Sequence, residues 1–184
     1  MDLSALPARD RILVTAHALF YRDGIRATGI DRIIAESGVA KLTFYRHFPS
    51  KDALVCAFLD YRHERWMAWF VDALGRHGAQ PGGGLAPLAA ALAEWFADPA
   101  FRGCAFINAV VEVGQALPEA AAIARRHKED MVQVIAGLLP EAAAQDAAAR
   151  AAALAVDGAI IGAQMGHTGP AADGLRRLLA GLAG

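Results

Sequence analysis

The chain has 184 residues, 55% of them hydrophobic and 20% charged, with a formal net charge of −1. This length accommodates one mid-sized core or a small domain beside a larger one. The two cysteines, Cys56 and Cys104, lack metal-type spacing and exclude a disulfide framework. Because Ala and Leu dominate the hydrophobic residues and no segment alternates like a strand, the composition predicts an all-α fold.

Neither a secretory signal nor a membrane span is predicted. The first residues are not a basic segment followed by an apolar run, and the most apolar stretch, 151–165, carries Asp157 in its middle. We therefore expect a soluble cytoplasmic protein with no membrane partner. Residues 1–52 hold eight basic and six acidic side chains, a balance that permits nucleic-acid binding at this end without requiring it.

Hydrophobic periodicity, interrupted by Gly, Pro and capping residues, predicts about nine helices and no strand. Thr28 and Ser50 are the predicted N-caps of the second and fourth helices. Gly24 and Gly38 are the predicted positions of positive φ. In chain order the predicted helices span Pro7–Arg22, a short segment between Thr28 and Gly38, Lys41–His47, Lys51–Arg76, Leu85–Ala97, Cys104–Gln115, Pro118–Leu138, Glu141–Met165 and Ala171–Leu182.

The third predicted helix has two opposed faces. Phe44 and Phe48 lie about 40° apart on a helical projection and point to the core. The opposite side carries groups that suit a DNA major groove, since Lys donates to guanine and an aliphatic side chain meets the thymine methyl group. The alternative is a surface helix whose polar groups are simply solvated, and an outward Leu42 argues against it. The outward and flanking residues are Lys41, Leu42, Thr43, Tyr45, Arg46 and His47.

Residues 10–54 resemble the DNA-binding segment of the tetracycline-repressor (TetR) family of bacterial regulators. The resemblance rests on Thr28, on the segments 33–35 and 38–39, and above all on the run Phe-Tyr-Arg-His-Phe-Pro-Ser-Lys-Asp-Ala-Leu at 44–54. The rest of the chain matches the family in length and helix count only. Where the family often has Ser or Thr before the third helix, this chain has Ala40, which removes a side-chain N-cap.

The resemblance implies a homodimeric regulator, and we expect neither enzymatic activity nor a cofactor. Residues 1–52 are then a helix-turn-helix domain (motif about 29–48), and residues 53–184 a ligand-binding and dimerisation domain. The implied partners are double-stranded operator DNA, expected to be palindromic, and a small-molecule effector that releases the repressor from it. The predicted DNA-binding residues are Thr28, Lys41, Leu42, Thr43, Tyr45, Arg46, His47 and Lys51.

The sixth predicted helix carries a polar stripe, which is the candidate effector site. The stripe consists of Cys104, Asn108, Glu112 and Gln115. That helix is otherwise apolar nearly all round, which predicts burial, and a buried polar stripe needs partners. It either lines a ligand cavity or bonds to neighbouring helices. Glu112 pairs in the first case with a ligand amine or hydroxyl, and in the second with Arg125, Arg126 or His127. The candidate ligand-binding residues are Trp66, Phe101, Cys104, Asn108, Glu112, His127 and Met131.

Small residues recur along one side of the eighth predicted helix and allow another helix to approach closely. In the TetR family the last two helices form a four-helix bundle with the partner, so this ridge is the candidate dimer interface. The alternative is an ordinary internal helix packed within one subunit. The candidate interface residues are Ala152, Ala155, Val156, Ala159, Ile160 and Ala163.

Three other functions fit the sequence less well. An enzyme is disfavoured because the sequence has no phosphate loop, nucleotide fingerprint, nucleophile elbow or paired metal motif. A helical binding module whose DNA-binding head has degenerated is disfavoured by the intact basic and polar face at 41–51. A thiol-based redox regulator would use Cys104, whose neighbours Gly103, Ala105 and Phe106 suggest a small buried hydrophobe instead.

Overall fold

The computed structural model describes residues 3–141 and 145–182, and over these residues it contains nine α-helices, a short 3-10 helix at Leu3–Ala5 and no strand. The predicted all-α fold is confirmed. The helices are α1 (Ala8–Asp23), α2 (Ile30–Ser37), α3 (Lys41–His47), α4 (Lys51–Arg76), α5 (Ala86–Phe96), α6 (Ala105–Val113), α7 (Pro118–Leu138), α8 (Gln145–Gln164) and α9 (Thr168–Leu182).

The chain divides into two compact units. The first comprises Met1–Glu64 and Ala105–Arg125, and the second comprises Arg65–Cys104 and Arg126–Gly184. The first unit therefore holds α1–α3, the beginning of α4, α6 and the beginning of α7. Compactness thus assigns 53–64 and 105–125 to the same unit as the N-terminal helices. The boundary predicted between residues 52 and 53 concerns function and stays a prediction.

The core of the first unit forms where α1 packs against α2 and α3. Ile12, Phe20, Ile33 and Phe44 are all at most 3% exposed. The Phe20 ring meets that of Phe58 edge to face, with centroids 5.4 Å apart. Burying a side chain of this size stabilises the fold by about 1.5–3 kcal/mol relative to leaving it exposed, so this cluster fixes the short helices α2 and α3 on α1.

Most helix boundaries agree with the sequence-based prediction. α3, α4 and α7 have the predicted ends, and the Oγ of Ser50 accepts a 3.0 Å hydrogen bond from the Ala53 amide, as expected of an N-cap. α9 begins at Thr168, earlier than predicted, because Pro170 falls in the first turn, where a missing N–H costs nothing. Glu141 is not helical; residues 142–144, also predicted helical, lie outside the described residues.

The prediction of a fully buried sixth helix is wrong. α6 ends at Val113, short of the predicted Gln115, and buries only Ala105, Phe106 and Ala109. Val111 is 81% exposed. An apolar sequence all round a helix therefore did not mean burial all round it.

In the second unit, α9 packs against both α8 and α5. Val156 and Ile160 of α8 and Leu175 and Leu179 of α9 are at most 2% exposed and form this core. Within residues 3–141 and 145–182, every helix is too short or too polar to span a bilayer.

Candidate nucleic-acid interface

The α2–α3 pair is a helix-turn-helix whose turn depends on one glycine. α2 ends at Ser37, and Gly38 adopts a left-handed conformation with φ 64° and ψ 31°, which confirms the predicted positive φ. Val39 is buried, and Ala40 at the N-cap of α3 offers no side-chain hydrogen bond. Because residues with a Cβ rarely adopt this conformation, Gly38 sets the angle at which α3 leaves α2.

Two aromatic side chains fix α3 to the core by its inner face. Phe44 is 0% and Phe48 3% exposed, and their ring centroids lie 6.3 Å apart. The prediction that both point inward is confirmed. With this face buried, the rotation of α3 about its axis is fixed, and its remaining side chains must face outward.

The outer face of α3 combines cations with an aliphatic side chain. Leu42 is 82% exposed, and Tyr45 is 40% exposed with its ring edge-on to Phe44 at 5.3 Å. An aliphatic side chain this exposed gains nothing from folding, whereas the partly packed Tyr45 presents its phenol from a fixed position. Of the predicted DNA-binding residues, Lys41, Leu42, Tyr45 and Arg46 are exposed, and Thr43, His47 and Lys51 are half-buried.

Lys41 begins α3 and Lys51 begins α4, and acidic side chains interact with both lysines. The Nζ of Lys41 lies 3.4 Å from an oxygen of Asp31 in α2, and both side chains are exposed. Lys51 opens α4; burial lowers the pKa of its amine, and the nearby charges of Glu112 and Asp52 oppose that shift. Both cations therefore have internal partners that a phosphate has to displace or share.

Thr28 fills neither of its two predicted roles, which are the N-cap of α2 and a contact with DNA. Its side chain is 0% exposed, and its hydroxyl donates a 2.8 Å hydrogen bond to the carbonyl oxygen of Gly24. The N-cap of α2 is Gly29, with no side-chain hydrogen bond. Thr28 therefore closes the turn between α1 and α2, and its side chain is not available to DNA in this conformation.

Glu112 has a different hydrogen-bond partner from those predicted. Its carboxylate accepts a 2.8 Å hydrogen bond from the backbone amide of Arg26, in the turn between α1 and α2. The predicted partners were a ligand or a side chain at 125–127; the structure pairs Glu112 with a main-chain amide, and ligand binding at Glu112 stays a prediction. Sequence patterns gave no sign of it, because the donor is a main-chain group 86 residues earlier in the chain.

The second unit contains an aromatic cluster built around Trp66. The indole ring stacks on Phe70 at 4.7 Å and meets the imidazole of His127 at 5.0 Å and the indole of Trp95 at 5.6 Å. Trp66 is 6% exposed, and its Nε1 donor has no hydrogen-bond partner among the described residues. Of the other candidate ligand-binding residues, Met131, Cys104 and His127 are buried, and Phe101 and Asn108 are half-buried.

The cysteines lack the surroundings of reactive thiols. Cys104 is 4% exposed. Burial raises the pKa of the half-buried Cys56 thiol, and the negative charge of Glu119 adds to the increase. A redox sensor needs an exposed thiol whose pKa is lowered, so the redox alternative loses its basis.

The predicted dimer ridge on α8 lies inside the single chain. Five of its six residues are buried in the second unit, against elements that include α9 and α5. Small side chains allow α8 and α9 to approach closely, as the sequence-based alternative of an internal helix required. The buried residues are Ala152, Val156, Ala159, Ile160 and Ala163, and Ala155 is half-buried.

Residues 12–58 match the family described as bacterial regulatory proteins, tetR family. One relative is YerO of Bacillus subtilis, an uncharacterized helix-turn-helix-type transcriptional regulator. The two chains are 42% identical over 53 residues, which cover 29% of this chain and 18% of YerO. Residues of this chain are 34% identical over 70 positions to the regulator UidR of Escherichia coli, covering 38% of this chain and 36% of UidR. The chain thus matches between about a fifth and a third of these curated relatives' length.

Similarity to solved structures extends over nearly the whole chain. The TetR-family transcriptional regulator SCO4454 of Streptomyces coelicolor is 30% identical, with a TM-score of 0.82 over 96% of both chains. The protein sav143 of Streptomyces avermitilis is 28% identical, with a TM-score of 0.79 over 96% of this chain and 98% of its own. The likeness therefore includes the helices outside the matched N-terminal segment.

Proposed function

The chain belongs to the tetR family of bacterial regulatory proteins, and from that premise we propose that it represses transcription as a homodimer and leaves its operator when a small molecule binds. The dimer sets two copies of α3 about 34–36 Å apart, one turn of DNA, so each enters the major groove at one half of a palindrome. Because the operator is in the cell's DNA, the protein acts in the cytoplasm.

The side chains of α3, together with Lys51 at the start of α4, make two kinds of contact with DNA in this proposal. Leu42 meets a thymine methyl group, and Lys41 and Arg46 donate to guanine or to phosphates. Thr43, Tyr45, His47 and Lys51 contact the phosphate backbone and fix the register of the helix on the duplex. Thr28 is left out of this set because its buried hydroxyl is already bonded to Gly24.

One observation carries the proposal: Leu42 is 82% exposed on a helix whose opposite face is held by buried Phe44 and Phe48. An aliphatic side chain this exposed gains little from packing, and on a polar and cationic face it is suited to meet the methyl group of a thymine.

The test is selection of bound sequences from random duplex DNA, followed by affinity measurements across a salt series. We expect a palindromic consensus and a steep loss of affinity with salt, as phosphate contacts require. Leu42→Ala should weaken binding to the consensus by about fivefold or more, the size of one base contact. Val111→Ala is the matched control, because Val111 is 81% exposed but lies on α6. Equal binding of consensus and random DNA by the wild-type chain would contradict the proposal.

For the effector we propose the aromatic cluster of the second unit. A buried indole N–H without a partner costs free energy, and a ligand that accepts its hydrogen bond recovers that cost. The ligand class is therefore a planar apolar molecule with one hydrogen-bond acceptor, in contact with Trp66, Phe101, Cys104, His127 and Met131. Quinoline and coumarin are suitable probes. A probe that binds should raise the melting temperature of the wild-type chain, and Trp66→Phe should reduce that rise. Equal rises in both chains would contradict the site.

For the dimer, the exposed apolar side chains on or beside the last two helices support an interface there. Leu154, Met165 and Leu178 are 74%, 72% and 58% exposed in the single chain. A contiguous exposed apolar patch is typical of a surface that a partner covers, and we propose that these three side chains belong to one. They replace the buried ridge of α8 as the proposed contact.

A further inference from the structure

We propose that Glu112 is a positioning residue for operator binding: its carboxylate holds the turn that precedes α2. The inference rests on the proposed function, because it concerns how the DNA-binding helices are held. It adds a residue from α6, far from the helix-turn-helix in the sequence, to the machinery that orients α3.

The contact with the turn is close and specific. The Oε2 atom of Glu112 accepts the Arg26 amide hydrogen at an N···O distance of 2.8 Å. At Gly24 a Cβ would lie 3.3 Å from Oε2 and 3.4 Å from Oε1. Gly24 itself has φ 92° and ψ 154°, a conformation essentially confined to glycine. Gly24 is therefore required by its backbone conformation, and the carboxylate of Glu112 lies close beside it.

The Glu112 contact differs in kind from the local hydrogen bonds of this turn. The Gly24 amide donates to Phe20 at 3.1 Å, and the Thr28 hydroxyl donates to Gly24 at 2.8 Å. Both bonds close the turn on itself, between residues four apart. Glu112 instead connects the turn to another helix of the same unit, so it determines where the closed turn lies and hence where α2 begins.

The charge of Glu112 also influences Lys51, the first residue of α4. This charge opposes the lowering of the Lys51 pKa by burial, so the two groups interact electrostatically. Arg26 precedes α2 and Lys51 follows α3. The hydrogen bond to the Arg26 amide remains the contact by which Glu112 holds the turn.

Three variants separate positioning from general stability. Glu112→Ala removes the acceptor and the charge, and Glu112→Gln keeps an acceptor for the Arg26 amide without the charge. Val111→Ala changes an exposed neighbour on the same helix. Hydrogen exchange of the Arg26 amide in the free protein reports the contact without DNA. The dissociation constant for the selected consensus reports its consequence, with each variant assayed well below its melting temperature.

Glu112→Ala should abolish the protection of the Arg26 amide and weaken consensus binding about tenfold. Glu112→Gln should keep the protection and bind about as tightly as the wild type, because the glutamine amide oxygen still accepts the Arg26 hydrogen bond. Val111→Ala should match the wild type in both measurements. Rescue by the glutamine variant is the result that a merely stabilising charge would not give.

Two results would overturn the inference. One is unchanged protection of Arg26 in Glu112→Ala, which would mean that the carboxylate does not hold the turn. The other is lost protection with unchanged operator affinity, which would mean that the held turn does not serve DNA binding. Failure of the wild-type chain to select any sequence would instead overturn the proposed function and the operator role of Glu112 with it. The exchange of Arg26 would still decide whether the carboxylate holds the turn.

Discussion

The Nζ atom of Lys41 lies 3.4 Å from Oδ1 of Asp31, which joins the first residue of α3 to the first turn of α2. Both side chains are largely exposed, at 66% and 87%. In such a setting an ion pair adds little to stability, because water and salt screen it. Its effect is greater on DNA binding, since Asp31 offers Lys41 an alternative to the phosphate and repels the duplex.

Replacing Asp31 by Asn should therefore tighten consensus binding by about two- to fivefold, equivalent to about 0.4–1 kcal/mol. The melting temperature should change little. Fluorescence anisotropy with the selected consensus at two salt concentrations measures the effect, and the gain should shrink at the higher concentration as charges are screened. Asp173→Asn is the matched control, because Asp173 also forms an exposed ion pair, with Arg176 of α9. Equal gains in both variants would point to net charge alone.

Thr28→Val tests the buried hydroxyl in the turn. The substitution keeps the shape of the side chain and leaves the Gly24 carbonyl without its 2.8 Å donor. We expect a loss of about 1–3 kcal/mol in the free energy of unfolding, measured by urea denaturation. Thr28→Ser retains the hydroxyl and should lose much less. A valine variant with wild-type stability but weaker operator binding would restore Thr28 as a direct DNA contact.

The sequence predicted the recognition helix well because its determinants are local. Phe44 and Phe48 are one turn apart, and Gly38 and Ser50 mark the turn before α3 and the start of α4. Each of these features follows from the chemistry of one residue or from a periodicity of 3.6. The bounds of α3 and the orientation of its faces were therefore available without tertiary information.

The roles of Glu112, Thr28 and the α8 ridge were not available in this way. The first depends on a backbone amide distant in sequence, and the second on the exact path of a turn. For α8, small side chains fit equally well against α9 of the same chain or against a partner subunit. Hydrophobic periodicity identifies which face is apolar, but it does not identify the surface that covers it.

Acid should weaken the end of α1. Hydrogen bonds from Arg22, aided by the charge of Arg32, hold the pKa of Asp23 at about 2, below its ordinary value of 3.8. The stabilisation from this carboxylate is therefore present above about pH 4 and is lost as the pH falls towards 2. In urea denaturation, Asp23→Asn should be less stable than the wild type near neutral pH, and the two should converge in acid. If the two stability curves run parallel over this range, the pKa of Asp23 does not differ between the folded and the unfolded chain.

The oligomeric state depends on which apolar side chains a partner covers. Leu154 and Leu178 are 74% and 58% exposed on α8 and α9, and placing a charge at both would leave unpaired carboxylates at the proposed interface. The double variant Leu154→Glu, Leu178→Glu should sediment as a monomer at micromolar concentration, where the wild type sediments as a dimer. Val71→Glu is the control, since Val71 is 54% exposed on α4.

The monomeric variant should also lose its preference for the full palindrome over a half-site, because a single α3 reads only one half. A double variant that remains dimeric would exclude this surface as the interface, while a monomeric wild type would contradict the dimer itself.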